Sequence, residues 1–202
     1  MRRYLDSWDA EYKRHGSIWR GESKMEIGKY IKTGRILEVG CGNGKSLVPL
    51  VRAGYDVTGL DVSKSAVESI KDLGAAVVHG DICDLSSRKK FDAIVCRYVL
   101  GALRQEDRLL AVKNIARLLK KGGFVFFEDF AVGDMRFGKG EEIEPNTFKR
   151  GNGILYHYFT LEEVKELFKD LKALELAGSG SKRRYNGIGY QRRLVSGVFE
   201  KL

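Results

Sequence analysis

Apolar residues fall along the chain in short runs punctuated by glycine, and the runs alternate between strand-like and helix-like periods. Residues 36–39 are apolar except for Glu38 and read as a buried parallel strand. Gly40, Gly42 and Gly44 follow at every second position. Leu47, Leu50 and Val51 then recur at helical spacing until Gly54 stops the pattern. Residues 56–60 read as a second strand, ending on Asp61. Ser63 is a helix N-cap ahead of Ala66, Val67, Ile70 and Leu73, with Gly74 as the stop. The third and fourth strands are predicted over residues 75–78 and 91–96. An amphipathic helix over residues 106–119 carries Leu109, Leu110, Ile115, Leu118 and Leu119 on its apolar side. Lys120 and Lys121 suit its negative end, and Gly122-Gly123 turns the chain into a fifth strand at residues 124–127. Strand, glycine turn, helix, strand and acid make up the mononucleotide-binding half of a doubly wound α/β sheet.

The flanks read differently. Trp8 and Tyr12 share one face of an N-terminal helix, which either packs on the sheet or closes over a ligand. Trp19 adds to this aromatic N-terminus, and a short helix over residues 22–31 would bury Met25, Ile27 and Ile31. Residues 131–158 are too many for a simple crossover. They interleave glycines with Arg136, Lys139, Lys149 and Arg150 and with aromatic rings, as a polyanion with stackable bases would require. A surface excursion with solvated charges is the alternative. Thr160 and Glu163 form a capping box for a helix through Phe168. Closing strands at residues 171–177 and 193–199 flank a basic hairpin with Lys182, Arg183, Arg184, Arg192 and Arg193.

The glycine spacing narrows the ligand. G-x-G-x-G lacks the third glycine position of the dinucleotide fingerprint G-x-G-x-x-G. Glu38, two residues before the first glycine, would repel a pyrophosphate but could pair with an ammonium. Asp61 could accept from both hydroxyls of a ribose. A nucleoside carrying an amino acid, S-adenosylmethionine, fits these residues better than a dinucleotide does. An αβ turn with no ligand would also account for the triplet alone.

V-G-C-G-N-G, L-D-V-S, G-D-I-C-D-L and L-L-K-K-G-G together resemble the class I S-adenosylmethionine-dependent methyltransferases over residues 35–130. The second half narrows the likeness. R-F-x-K-G, N-x-x-x-R-G-x-G and F-T before a helix resemble the eukaryotic tRNA 3-methylcytidine methyltransferases. Arg136, Phe137, Lys139, Gly140, Asn146, Arg150, Gly151, Gly153, Phe159 and Thr160 carry the match, with W-D-x-x-Y at Trp8 to Tyr12 and Asp129-Phe130 beside them. The chain departs from that family at Glu128, where an arginine is usual, at Phe130 in place of tyrosine, and at Gly187 after Asn186.

The resemblance implies a Rossmann-like seven-stranded methyltransferase sheet with six strands parallel, the last antiparallel, and helices on both faces. The expected donor-binding set is Trp8, Glu38, Gly40, Gly42, Gly44, Asp61, Val62, Asp81, Ile82 and Cys96. Asp81 would hold the adenine amino group, with Ile82 packed on the ring. Asp129 is the expected catalytic carboxylate. Tyr12, Arg136, Lys139, Arg150, Arg183 and Arg184 are the expected substrate contacts, the cations holding RNA phosphates.

Composition modifies this picture only slightly. At 202 residues the chain suits a single domain, divided into residues 1–33 (lid and helices), 34–130 (cofactor core), 131–159 (substrate-side insert) and 160–202 (final helix and strand hairpin). A net charge of +9 favours an anionic partner such as nucleic acid or an acidic membrane surface; the resemblance implies that it is RNA, and tRNA in particular. Cys41, Cys83 and Cys96 have no metal-ligand spacing, so no metal site is expected. Residues 97–99, Arg-Tyr-Val, lack the proline-aromatic run common in methylation of exocyclic base amines. Cys96 lacks the setting of a C5-methylating nucleophile. No apolar stretch approaches a membrane span and no signal sequence is legible, so a cytoplasmic location is expected. The expected activity is methylation of a cytidine ring nitrogen in tRNA. The alternatives are a methyltransferase for a small molecule or protein, and a non-catalytic RNA-binding module on the same fold.

Overall fold

A computed structural model describes residues 4–16, 18, 26–185 and 187–202. The parallel strands form where the apolar runs placed them: β1 (Arg35–Val39), β2 (Asp56–Asp61), β3 (Ala76–His79), β4 (Phe91–Arg97) and β5 (Leu119–Phe130). A long hairpin, β9 (Lys172–Tyr185) and β10 (Ile188–Glu200), completes a seven-stranded sheet in the order β3-β2-β1-β4-β5-β10-β9. β10 runs antiparallel to both β5 and β9, so six strands share a direction and one opposes them. This is the expected Rossmann-like sheet.

Strand alternation explains why both faces are buried. On β1, Leu37 and Val39 join Ile94, Cys96, Val125 and Phe127 in one core, while Ile36 turns the other way to Ala93, Val95 and Phe126. The first core is covered by α4 (Gln105–Leu118) and α5 (Leu161–Leu167), through Ala111, Ile115, Leu118 and Val164. The second is covered by α2 (Leu47–Arg52) and α3 (Lys64–Ile70), through Leu47, Leu50 and Ile70. Two caps work as their residue types require. Ser63 Oγ accepts from Ala66 N–H at 3.1 Å to open α3, and Thr160 Oγ1 accepts from Glu163 N–H at 3.1 Å to open α5.

Several local expectations are revised. α3 ends at Ile70 in a tight turn closed by Leu73 N–H on the Ile70 carbonyl, which leaves Leu73 39% exposed. On α4 the buried stripe is Arg108, Ala111, Val112, Ile115 and Leu118, and Leu109 is 57% exposed, with Leu110 also exposed. A buried arginine takes the stripe position because Nη1 donates to the Leu103 carbonyl at 2.8 Å and Nη2 faces Glu144. Hydrophobicity alone cannot register that substitution. β5 begins at Leu119, five residues early, because Leu119 pairs with Phe91. Lys201 also ties down the intervening glycines, accepting from Gly122 N–H at 2.7 Å and donating to the Gly123 carbonyl at 2.9 Å. Within the helix expected over residues 22–31, the described residues from 26 onward form a 3-10 turn at Ile27–Lys29, with Ile27 buried and Ile31 half-buried. Trp19, Met25 and Asn186 lie outside the described residues.

The insert, to which the sequence pattern assigns no strands, folds into a second antiparallel sheet of β6 (Glu141–Glu144), β7 (Thr147–Lys149) and β8 (Leu155–His157). It docks at the carboxyl ends of β4 and β5. Phe159 N–H donates to the Phe130 carbonyl, and Val132 N–H to that of Phe159. Phe130, Phe148 and Tyr158, packed with Tyr98, Phe137 and Tyr156, give it an aromatic core of its own. Buried Asp134 staples the insert to the hairpin, accepting from Arg192 Nε at 2.7 Å and Arg193 N–H at 3.0 Å.

Candidate functional site

The carboxyl ends of β1 to β4 surround a cleft of about 940 Å³, open to solvent on one side. Its floor is the glycine turn. Gly40 has φ of +69°, and a Cβ there would overlap the Val99 side chain, so glycine alone lets the turn pass beneath the end of β4. Gly40 and Cys41 N–H groups donate to the Leu60 carbonyl at 2.7 and 3.1 Å, which holds the turn against β2.

Three acids stand around the cleft. Asp61 is buried; Oδ2 accepts from Gly42 N–H at 2.8 Å and Oδ1 from Ser63 N–H at 2.9 Å. Burial pushes its pKa up, against the pull of those backbone donors. Asp81 Oδ1 accepts from Cys83 N–H at 2.9 Å, which orients the carboxylate at the end of β3. Glu38 is 4% exposed, and its Oε2 has no hydrogen-bond partner among the described residues. Burial raises its pKa to about 8, although a Ser46 hydrogen bond and the nearby Arg97 guanidinium favour the charged form. An orphaned buried carboxylate oxygen at the cleft wall is what an incoming ammonium would satisfy.

Trp8, Glu38, Gly40, Asp61, Val62, Asp81 and Ile82 all line the cleft. Gly42 and Gly44 shape the turn behind it, the first through its bond to Asp61 and the second by donating to the Cys41 carbonyl. Cys96 does not reach the cleft. Strand alternation turns it into the core beneath α4, where burial raises its thiol pKa, and the wall at the end of β4 passes to Arg97 and Tyr98. These two were not singled out from sequence. Arg97 pairs with Glu128, and Tyr98 OH donates to Glu128 Oε1 at 2.6 Å. Tyr98 has φ of +58°, a conformation that bulky side chains avoid, and only the structure reveals it.

A smaller cavity adjoins the first and shares Trp8, Tyr98 and Ala102 with it. Gly101, Asp129, Phe130, Leu155, Tyr156 and His157 form the rest of its wall. Asp129 is buried at the end of β5; Oδ2 accepts from Gly101 N–H and Oδ1 from Phe130 N–H, each at 2.9 Å. Burial lifts its pKa to about 7 despite both donors. His157 is buried beside it, with Nδ1 2.8 Å from Thr147 Oγ1 and Nε2 2.9 Å from Glu163 Oε2. Tyr12 lies with Trp8 on α1 (Tyr4–His15), ring centroids 6.4 Å apart, and lines the larger cleft rather than the smaller.

Cations gather around two of the aromatic rings that line the smaller cavity. The guanidiniums of Arg136 and Arg192 lie 5.5 and 5.0 Å from the Phe130 ring centroid, and that of Arg150 lies 5.3 Å from Tyr156. Lys139 is exposed on the insert. Arg183 and Arg184 are exposed on β9 but, as strand neighbours, point to opposite faces. Register puts Arg183 opposite Tyr190, on the face that carries Arg192 and Leu194 toward the insert. Arg184 lies on the other face. The two expected phosphate contacts thus lie on opposite faces of the hairpin.

Among known proteins, the family model for the methyltransferase domain matches residues 8–171. The tRNA N(3)-cytidine methyltransferase METTL2 of Bos taurus is 34% identical over 155 residues, which take in 67% of this chain and 41% of that protein. The chain thus spans well under half the length of that relative. The tRNA N(3)-methylcytidine methyltransferase trm141 of Schizosaccharomyces pombe is 27% identical over 227 residues, 97% of this chain and 92% of its own. In fold, a SAM-dependent methyltransferase from Methanosarcina mazei superposes with a TM-score of 0.75 at 21% identity, over 90% of this chain and 99% of its own. The likeness is thus one of sequence to the domain family and, for the solved structure, one of fold. The chain belongs to the methyltransferase domain family.

Proposed function

We propose that the chain transfers a methyl group from S-adenosylmethionine to a cytidine ring nitrogen in tRNA. The observation that carries this reading is the pair of adjoining cavities with a shared wall. One is lined by Glu38, Asp61 and Asp81; the other is aromatic, with Asp129 buried in its wall and guanidiniums against two of its rings. The names of the relatives from Bos taurus and Schizosaccharomyces pombe support the choice of tRNA cytidine.

S-adenosylmethionine would supply an electrophilic methyl carbon on its sulfonium. Glu38 suits its ammonium, because Oε2 lacks any other partner. Asp61, already oriented by two backbone donors, has lone pairs left for the ribose hydroxyls. Asp81 and Ile82 suit the adenine. In the second cavity Phe130, Tyr156 and Tyr98 offer faces on which an extruded pyrimidine could stack. The ring nitrogen of cytosine already has a lone pair, so alignment contributes most of the rate and no strong base is needed. Asp129, when ionised, would accept from the exocyclic amine and offset the charge that grows on the base. Arg136, Arg150 and Arg192 would hold the flanking phosphates. RNA would be the macromolecular partner. No helix among the described residues is long and apolar enough to cross a membrane.

The test is incubation with total tRNA and isotopically labelled donor, followed by digestion to nucleosides. Label in 3-methylcytidine is the expected result. Label only in a small molecule or protein fraction, or RNA affinity that does not fall with salt, would overturn the RNA reading.

A further inference from the structure

α1 lies across the site and is fastened at two places. On the donor side, Asp9 Oδ1 accepts from Ser63 Oγ and from Ser65 N–H, both at 2.9 Å, and Oδ2 pairs with Lys13 at 2.8 Å. Ser63 in turn donates its N–H to Asp61 Oδ1, and Asp61 Oδ2 accepts from Gly42 N–H. One hydrogen-bonded line therefore runs from α1 through Ser63 and the ribose-facing acid to the glycine turn. On the acceptor side, Asn152 Nδ2 donates to Glu11 Oε2 at 3.2 Å. Beside it Gly153, with φ of +81°, approaches so closely that a Cβ there would lie 2.8 Å from Ser7 Oγ. Between the two fastenings stands Trp8, which walls both cavities.

Given the donor reading above, we infer that Asp9 is a positioning residue. Its carboxylate seats α1 on the first turn of α3, so that Trp8 closes the donor cleft and completes the acceptor cavity in one step. Asp9 touches neither cavity lining itself; it acts through Trp8 on one side and through Ser63 and Asp61 on the other. The bonds to Ser63 and Ser65 need an acceptor atom at position 9, not a charge, which separates two substitutions. Asp9→Asn keeps an oxygen acceptor, whereas Asp9→Ala removes it.

The experiment uses the full chain with Trp19→Phe, which leaves Trp8 as the sole tryptophan. Binding of S-adenosylhomocysteine is followed by calorimetry and by Trp8 fluorescence, and the thermal midpoint is recorded without ligand. In Asp9→Ala, affinity should fall roughly tenfold or more, the size expected for two lost hydrogen bonds of ordinary strength. The ligand-induced change in Trp8 emission should vanish, while the ligand-free midpoint shifts little. Asp9→Asn should recover most of the affinity and the emission change. Parental affinity in Asp9→Ala would overturn the inference. So would an Asp9→Asn as impaired as Asp9→Ala, since the acceptor atom would then not be what matters. No binding heat in the parent protein would remove the donor reading itself and this inference with it.

Discussion

Glu38 offers a test in which stability and ligand binding move in opposite directions. Its carboxyl is carried from the usual 4.5 to about 8, chiefly by burial. The folded protein therefore holds a proton that the unfolded chain has released, across the window from pH 4.5 to about 8. Stability contributed at this residue falls as pH rises through that window and levels off above it. Over the whole window the loss amounts to roughly 5 kcal/mol. Glu38→Gln has no proton to lose. Measured against the parent without ligand, its advantage should grow from pH 4.5 to about 8 and then become constant. For a chain of this size that corresponds to a relative rise in thermal midpoint of roughly 10 °C. Donor binding should go the other way. An amide cannot pair with an ammonium as a carboxylate does, so affinity for S-adenosylhomocysteine should weaken by about 10- to 100-fold. Thermal scans of both proteins from pH 4.5 to 9 and calorimetry at pH 8 measure the two effects. A midpoint difference that does not vary with pH would refute the burial argument. Unchanged affinity would remove Glu38 from the ammonium site.

Three further outcomes are expected. In the proposed reaction Asp129 offsets charge on the base only when ionised, so the single-turnover rate should rise as pH increases through about 7; Asp129→Asn should be slow at every pH and still bind donor. Arg150→Glu should weaken tRNA binding and lower the salt slope by about one while leaving donor affinity unchanged; filter binding should also show Arg183→Glu more damaging than Arg184→Glu, because only Arg183 shares the face of Arg192. Phe168 and Phe199, stacked at 4.4 Å and both buried, tie α5 to the sheet, so Phe168→Ala should cost about 3–5 kcal/mol in denaturant unfolding.

Local order in this chain fixes the strands, caps and glycine turn, because each depends on neighbours within a few residues. The run of residues 36–39, the acid at Asp61, the Ser63 and Thr160 caps and the glycine stops are all readable for that reason. A seven-stranded sheet follows once the family motifs are recognised. Features that depend on contacts far apart in the chain were not legible. Leu109 and Leu110 are apolar yet exposed, because Arg108 is satisfied by Leu103 and by Glu144 of the insert. The insert's own sheet forms because Phe130, Phe148 and Tyr158 meet across 28 residues of chain. Cys96 and Arg97 exchange roles at the cleft wall because the β4 pleat decides which side chain faces inward. Tyr98 takes a strained conformation that no residue pattern announces. Sequence alone determined which groups the chain carries to the carboxyl ends of its strands. Tertiary packing decided which of them face a cavity, since facing is set by pleat, register and distant partners rather than by spacing.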